Sequence, residues 1–126
     1  MIDVTALGEL LIDFTCLSTD ERGYPTMAAH PGGAPANFLA ALAGFGAKTA
    51  LLGKVGADAF GKLLVKTLEQ AGIETRGLVQ SSGVFTTLAF VTLDESGDRE
   101  FSFARKPGAD TRLTFDELDL GLIDGA

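Results

Sequence analysis

The sequence predicts an α/β fold in which helices connect the strands of a parallel sheet and a β-hairpin projects from that sheet. Two observations carry this prediction. Over residues 2–71, apolar segments of strand length alternate with segments of helical periodicity, an order that is typical of a parallel sheet with helical crossovers. After residue 84 the pattern changes to two strand-like segments on either side of a polar turn, which indicates a hairpin.

The first strand is predicted over residues 2–11, which are largely apolar and include β-branched side chains. A break at Gly8 and Glu9 interrupts this segment. The polar residues 19–23 then predict a turn, and residues 24–30 predict either a short exposed strand or a loop.

The first helix is predicted over residues 36–45, directly after the glycine- and proline-rich run 31–35. Pro35 suits the first helical position, and Gly46 suits the left-handed residue that follows the last turn. Because the segment is apolar nearly all the way round, we expect this helix to be largely buried.

A second strand is predicted over residues 48–55, and a second helix over residues 59–71. Asp58 is placed to cap the start of that helix, and Gly72 to end it. Four apolar residues share one face of the helix and predict its contact with the sheet. They are Phe60, Leu63, Leu64 and Leu68.

The hairpin comprises residues 85–93 and 99–104. Since it does not continue the alternation of strands and helices, we expect it to form a separate small sheet. Further along, Thr114 and Glu117 have the spacing of a capping box, which predicts the start of a short helix.

Composition and charge exclude several classes of function. The 126 residues, 46% of them hydrophobic, fit one globular domain. A formal net charge of −7 without a basic cluster argues against nucleic acid and anionic membrane as partners. Cys16 is the only cysteine, so an internal disulfide is excluded, and we expect an inert packing residue there. With no apolar run of about 20 residues and no basic leader, we expect a cytoplasmic protein.

The glycine pair Gly32 and Gly33 is the most informative feature for function. Two glycines before a helix let the backbone approach a ligand closely, and the first N–H groups of a helix can donate to oxygen atoms. Asn37 is the one hydrogen-bonding side chain in the first turn of this apolar helix, and its amide both donates to and accepts from hydroxyls. These residues form either a cradle for a polyol or a plain loop-to-helix connection that Asn37 helps to cap.

Asp13 and Arg105 are further candidates for binding. Asp13 follows the first predicted strand, and open α/β sheets bind their ligands at that edge. It is either a ligand for sugar hydroxyls or a solvated turn residue. Arg105 comes directly after an aromatic strand that includes Phe103. In one interpretation the aromatic ring covers the face of a sugar and the guanidinium of Arg105 binds its oxygen atoms. In the other, Arg105 is a surface residue next to aromatic residues of the core.

Three other kinds of site are excluded by spacing. The run 44–49 (GFGAKT) lacks the glycine spacing of a phosphate-binding loop and lies at the wrong end of a helix. No G-x-G-x-x-G follows the first strand, which argues against a dinucleotide site. His30 is the only histidine, and no second ligand stands at metal-binding spacing, so we predict no transition-metal site.

Several segments, in order along the chain, resemble the ribokinase-like (PfkB) family of carbohydrate kinases. They are residues 6–13 (ALGELLID), 32–37 (GGAPAN), 53–61 (GKVGADAFG), 86–91 (TTLAFV), 97–99 (GDR) and 101–103 (FSF). Residues 105–110 (RKPGAD) resemble the fructokinase branch in particular. One departure is Leu39, where the family usually carries a small residue.

The resemblance implies a doubly wound α/β domain, incomplete in these 126 residues, with a small β-sheet lid. Residues 1–126 would be the N-terminal part of the kinase domain, with lid elements near residues 14–30 and 84–105. The parent enzyme would use ATP and Mg²⁺ to phosphorylate a sugar hydroxyl, fructose first of all, and pair its lids in a homodimer. The residues expected to bind the sugar are Asp13, Gly32, Gly33, Asn37, Phe103 and Arg105.

The family's second signature, a Gly-Ala-Gly-Asp run that carries the catalytic base and the anion hole, does not occur in this chain. The resemblance therefore implies no catalytic residue here, an ATP site mostly outside these residues, and a fragment that is inactive alone. Two alternatives stay open: a kinase of another substrate, such as 2-keto-3-deoxygluconate or a nucleoside, and a non-catalytic sugar-binding or dimerising module.

Overall fold

A computed structural model gives the structure of all residues, 1–126. The strands, in chain order, are β1 (Val4–Leu7), β2 (Leu11–Thr19), β3 (Pro25–Gly32), β4 (Thr49–Gly56), β5 (Ile73–Glu74), β6 (Leu78–Ser81), β7 (Leu88–Leu93) and β8 (Arg99–Ala104). The helices are α1 (Ala34–Gly44), α2 (Ala59–Gln70) and α3 (Gly121–Asp124), with 3₁₀ turns at Ala109–Thr111 and Phe115–Glu117. No helix combines the length and apolarity that crossing a bilayer requires.

The central sheet is parallel and consists of β1, β4, β5 and β6. All eight residues of β4 are buried, because neighbouring strands flank it and helices cover both of its faces. Leu51 and Val55 pack with residues of α1 and α2, whereas Ala50 and Leu52 pack against Leu122 of α3. The predicted parallel sheet with helical crossovers is confirmed, but β5 and β6 are too short to have been predicted.

The prediction of one strand over residues 2–11 is wrong. The strand β1 ends at Leu7, and Leu11 already begins β2 in a different sheet. Gly8 marks the departure: its N–H still donates to Leu52 in the central sheet, and a Cβ there would overlap the ring of Pro35. The break at Gly8 and Glu9 is therefore the crossing between two sheets.

The side sheet has the strand order β3-β2-β7-β8. The predicted hairpin, β7 and β8, is confirmed as an antiparallel pair. It does not stand alone, because β7 also pairs in parallel with β2. Phe14 of β2 stacks on Phe90 at 5.1 Å between ring centroids and meets Phe60 of α2 edge-on at 5.5 Å. These aromatic contacts attach the side sheet to the rest of the molecule.

Helix α1 begins and ends close to its predicted bounds, and Gly46 has the expected positive φ of 95°. The expectation that α1 is largely buried is wrong. Only Ala36 and Leu39 of the helix are buried, while Phe38 is 55% exposed. The helix packs one side against the central sheet, and no other part of these 126 residues covers its outer side. Leu39, the departure from the family pattern, lies fully inside the core.

Asp58 caps α2 as predicted, and it also fastens α2 to the segment before β7. Its carboxylate accepts from the N–H of Gly61 at 2.8 Å and from the N–H and hydroxyl of Thr86 at 2.9 and 2.8 Å. Burial by itself raises the pKa of Asp58, but the hydrogen bonds from Thr86 and Gly61 outweigh it and hold the pKa below its ordinary value of 3.8.

We expect the Asp58→Ala variant to have a free energy of unfolding lower by about 2 kcal/mol at neutral pH, since a cap and hydrogen bonds to a charged group are lost. The folded-state pKa is depressed, so this stabilisation is present above pH 3.8 and disappears as the pH falls through the lowered pKa. Denaturant titrations at several pH values measure it. The matched control is Asp116→Ala, an exposed carboxylate. Equal stability of the two variants at pH 7 would contradict the prediction.

Candidate functional site

Asp13 lies within β2, and not after the end of a central strand as the sequence suggested. It stands opposite His30 of β3 and Ala89 of β7. Its carboxylate lies directly against Gly32, since a Cβ on Gly32 would overlap Oδ2 and lie 3.1 Å from Cγ. Gly32 is needed at this position because any larger residue would displace the carboxylate.

Gly33 brings the chain from the side sheet into α1. Its φ is 116°, and an added Cβ would lie only 2.5 Å from the carbonyl oxygen of Glu9. The side chain of Glu9 accepts from the N–H of Ala34 at 3.3 Å. The carboxylate of Glu9 therefore already uses one of the N–H groups at the start of α1, where the sequence predicted that a ligand would bind. Glu9 was not predicted as a site residue, because only the fold brings it to this helix.

Asn37 does not join Asp13 in one cavity. Its side chain is exposed and lines a cavity of about 60 Å³ between α1 and α2, together with Gly32. Asp13 lines a different cavity of about 440 Å³ on the side sheet. Asn37 does not cap α1 either, since the N-cap is Gly33. Asp13 and Asn37 were expected to bind a sugar in one cavity, but in this chain they line two separate cavities. Gly32 connects the two, because it contacts Asp13 and also lines the cavity of Asn37.

Phe103 and Asp13 belong to one face of the side sheet. Ala89 pairs with both residues, on β8 and β2 respectively, and residues paired across strands point to the same face. Phe103 is 54% exposed and stacks on Phe101 with 6.3 Å between ring centroids. An aromatic surface and a carboxylate on one exposed face suit the apolar and polar sides of a sugar ring.

Arg105 forms an ion pair that the sequence did not predict. Its Nη2 lies 2.5 Å from Oδ2 of Asp110, and its carbon Cζ lies 6.0 Å from the ring centre of Phe103. The Asp110 side chain is completely buried and also accepts from the hydroxyl of Thr87. The pKa of Arg105 is raised, chiefly by the hydrogen bond to Asp110 and further by the charges of Asp110 and Glu9.

Further contacts connect the Arg105–Asp110 pair to the start of α1 and to the start of β2. The side chain of Glu9 accepts a hydrogen bond from Ala34 at the start of α1, and its negative charge also acts on Arg105. Thr87 links Asp110 to the start of β2, because its carbonyl accepts from the N–H of Ile12 at 3.1 Å. The sequence showed Arg105 and Asp110 in one short run, but only the fold reveals that Asp110 is buried and paired.

A second ion pair, partly buried, lies at the far side of β4 and serves the structure. Lys54 donates to Glu117 at 2.8 and 2.9 Å and to the carbonyl of Arg112 at 3.1 Å. The pKa of Glu117 is lowered by the hydrogen bond from Lys54 and then by that from the backbone of Thr114. The predicted capping box is present, although the helix it opens is a single 3₁₀ turn. This pair holds the segment after residue 111 against the central sheet.

The pfkB family model of carbohydrate kinases matches residues 1–123. The chain belongs to the pfkB family. It is 45% identical over 125 residues to Fructokinase-1 of Zea mays and 44% identical to the fructokinase of Solanum tuberosum. Each match covers 98% of this chain and 39% of the relative. The chain therefore spans about two fifths of the length of the curated relatives that it matches.

Solved structures agree with this assignment and confirm the ribokinase-like α/β fold. A fructokinase from Xylella fastidiosa superposes with a TM-score of 0.92 at 35% identity, covering 98% of this chain and 38% of that one. A putative ribokinase II from E. coli, solved with ATP and Mg²⁺, gives a TM-score of 0.86 at 28% identity, covering 98% of this chain and 40% of that one. The lengths again show that each solved kinase extends well beyond the matched part.

The start of α1 is poorly suited to bind a phosphate group. No group of three or more His, Cys, Asp or Glu side chains is placed to hold a metal ion. At the one glycine-rich helix start, the carboxylate of Glu9 already accepts from Ala34, and this negative charge disfavours a phosphate there.

Proposed function

We propose that a longer kinase containing this chain transfers the terminal phosphoryl group of ATP to a hydroxyl of fructose, and that this chain supplies the sugar-binding half and the lid. The observation that carries the proposal is the carboxylate of Asp13, which lies against Gly32 on the face of the side sheet that also carries Phe103. The identity to plant fructokinases supports fructose as the substrate.

In this proposal the side sheet is the lid, formed by residues near 14–30 and 84–105 of the N-terminal part of the kinase domain. Asp13 accepts hydrogen bonds from two sugar hydroxyls, and Arg105 donates to a third oxygen beside the ring of Phe103. Gly32, Gly33 and Asn37 border the sugar from the start of α1. Closing the lid would exclude water, so that the phosphoryl group is not lost to hydrolysis.

The rest of the kinase completes the cleft in this proposal. The cavities of Asp13 and Asn37 are separate within these 126 residues, and the remaining three fifths of a relative's length would add the ATP site, the bound Mg²⁺ and the catalytic base. The exposed outer side of α1, with Phe38 and Phe45, gives that part of the protein an apolar surface to cover.

We further propose that two such kinases pair through their lids in the cytoplasm. Four large apolar side chains of the side sheet are more than half exposed, which is unusual for a small sheet that stays solvated. They are Leu17, Leu93, Phe101 and Phe103.

A coupled assay of ADP release tests the proposed function. The longer kinase should release ADP with fructose, whereas these 126 residues alone should show no turnover. Titration of each protein with fructose and with ATP by calorimetry is the companion measurement. ADP release by the short chain would refute the division of roles, and turnover by the longer kinase with a nucleoside but not with fructose would refute the substrate.

A further inference from the structure

The pair formed by Arg105 and Asp110 decides what charge the proposed sugar site presents. Two N–H groups of Arg105 are taken by Asp110, one from Nη2 at 2.5 Å and one from Nε at 3.4 Å. A guanidinium has five such groups, so three are left for a substrate. The side chain of Arg105 is 35% exposed, whereas that of Asp110 is fully buried. A ligand would therefore meet the guanidinium with its counter-charge directly behind it.

Asp110 is fixed from several sides. The hydroxyl of Thr87 donates to its Oδ1. Gly108 allows this close packing, because a Cβ there would overlap Thr87 Oγ1 and lie 3.2 Å from Cγ of Arg105. The N–H of Ala109 donates to the carbonyl of Phe85 at 2.8 Å. The carboxylate therefore cannot turn away from Arg105 without breaking this packing.

A second carboxylate, that of Glu9, also acts on Arg105 through its charge. Two carboxylates, those of Asp110 and Glu9, therefore act on one guanidinium. An incoming carboxylate would find the charge of Arg105 already compensated and would be repelled by its neighbours. A neutral polyol has no charge to be repelled and can use the remaining N–H groups as donors.

We propose that Asp110 is a specificity-determining residue: by neutralising Arg105, it makes the site take a neutral sugar and reject a sugar acid. This inference rests on the proposed function, because it needs Arg105 to face the bound sugar. Asp110 itself is buried and acts through Arg105 without touching the substrate.

The test compares kcat/KM for fructose and for 2-keto-3-deoxygluconate, an anionic sugar, in the longer kinase. Asp110→Asn removes the carboxylate that is paired directly with Arg105. We expect the ratio of kcat/KM for the acid to that for fructose to rise at least about tenfold, the scale of one charge at short range in a partly exposed site. The KM of the variant for the acid should also increase with added salt, while its KM for fructose stays constant.

Two further variants separate charge from structure. Thr87→Val removes one hydrogen bond to Asp110 but no charge, and the substrate ratio should stay within about threefold of the wild type. The double variant Arg105→Gln with Asp110→Asn is a neutral pair and should also keep the ratio, whatever its overall activity. If Asp110→Asn alone does not fold, the double variant still tests the inference. A rise in its ratio of kcat/KM for the acid to that for fructose would overturn the inference.

The outcomes also separate this inference from the proposed function. Equal losses on both substrates in Asp110→Asn would show a merely structural residue and overturn the inference, while phosphorylation of fructose by the wild type would still support the function. A wild type that prefers the acid would overturn the inference and the choice of fructose, but not the kinase activity. A wild type that phosphorylates neither sugar would overturn both.

Discussion

In the longer kinase, Asp13→Ala should lower kcat/KM for fructose at least about tenfold. A hydrogen bond to a charged group contributes about 1.5–3 kcal/mol, and 1.4 kcal/mol corresponds to a factor of about ten in rate. None of the side-chain hydrogen bonds of this structure involves the carboxylate of Asp13, although it lies against Gly32. Its removal should therefore affect ligand binding more than folding. Steady-state kinetics with varied fructose measure the effect.

The control for this variant is Asp98→Ala, an exposed carboxylate in the turn between β7 and β8. It removes one carboxylate, as Asp13→Ala does, but from the turn that joins two strands of the side sheet, and its kcat/KM should equal that of the wild type. Asp13→Asn should keep part of the activity, because its amide still offers one acceptor oxygen. Wild-type kinetics for Asp13→Ala would remove Asp13 from the proposed site.

Gly33→Ala should have an effect at least as large, and it should reach both stability and binding. The φ of 116° is unfavourable for any residue with a Cβ, and the added methyl would lie 2.5 Å from the carbonyl oxygen of Glu9 and 3.3 Å from Cα of Leu10. Strain of this kind costs about 1–3 kcal/mol before the overlap is counted. Because both neighbours are backbone, the crossing from β1 to β2 must shift. We expect a lower melting temperature and at least a tenfold higher KM for fructose.

The matched control is Gly44→Ala in the last turn of the same helix. A Cβ at Gly44 would meet no atom within 4 Å, and its φ is not positive. Since alanine favours a helix over glycine by about 1 kcal/mol, this variant should be as stable as the wild type or more so. Thermal unfolding of the two variants side by side decides the matter. Similar melting temperatures would show that the backbone around Gly33 adapts and that the cradle is not rigid.

Much of the fold could be predicted because it depends on local chemistry. The strand β4, the helix α2 with its cap Asp58, and the hairpin of β7 and β8 follow from apolar periodicity, capping side chains and turn residues, all of which act over a few positions. The left-handed Gly46 follows a helix end for the same local reason. The site was predicted less well. Asp13 and Gly32 are in contact, but Asn37 lines another cavity, and Glu9, Thr87 and Asp110 were missed.

The sequence by itself determined β4, α1, α2 and the hairpin of β7 and β8, and it showed a pfkB-type order of motifs along the chain. Only the tertiary structure decided that residues 2–11 cross between two sheets, that α1 keeps an exposed apolar side, and that Asp110 is buried behind Arg105. The physical reason is the range of the interactions. Caps, turns and periodicity act between residues a few positions apart, whereas burial and charge compensation depend on which distant segments the folded chain brings together.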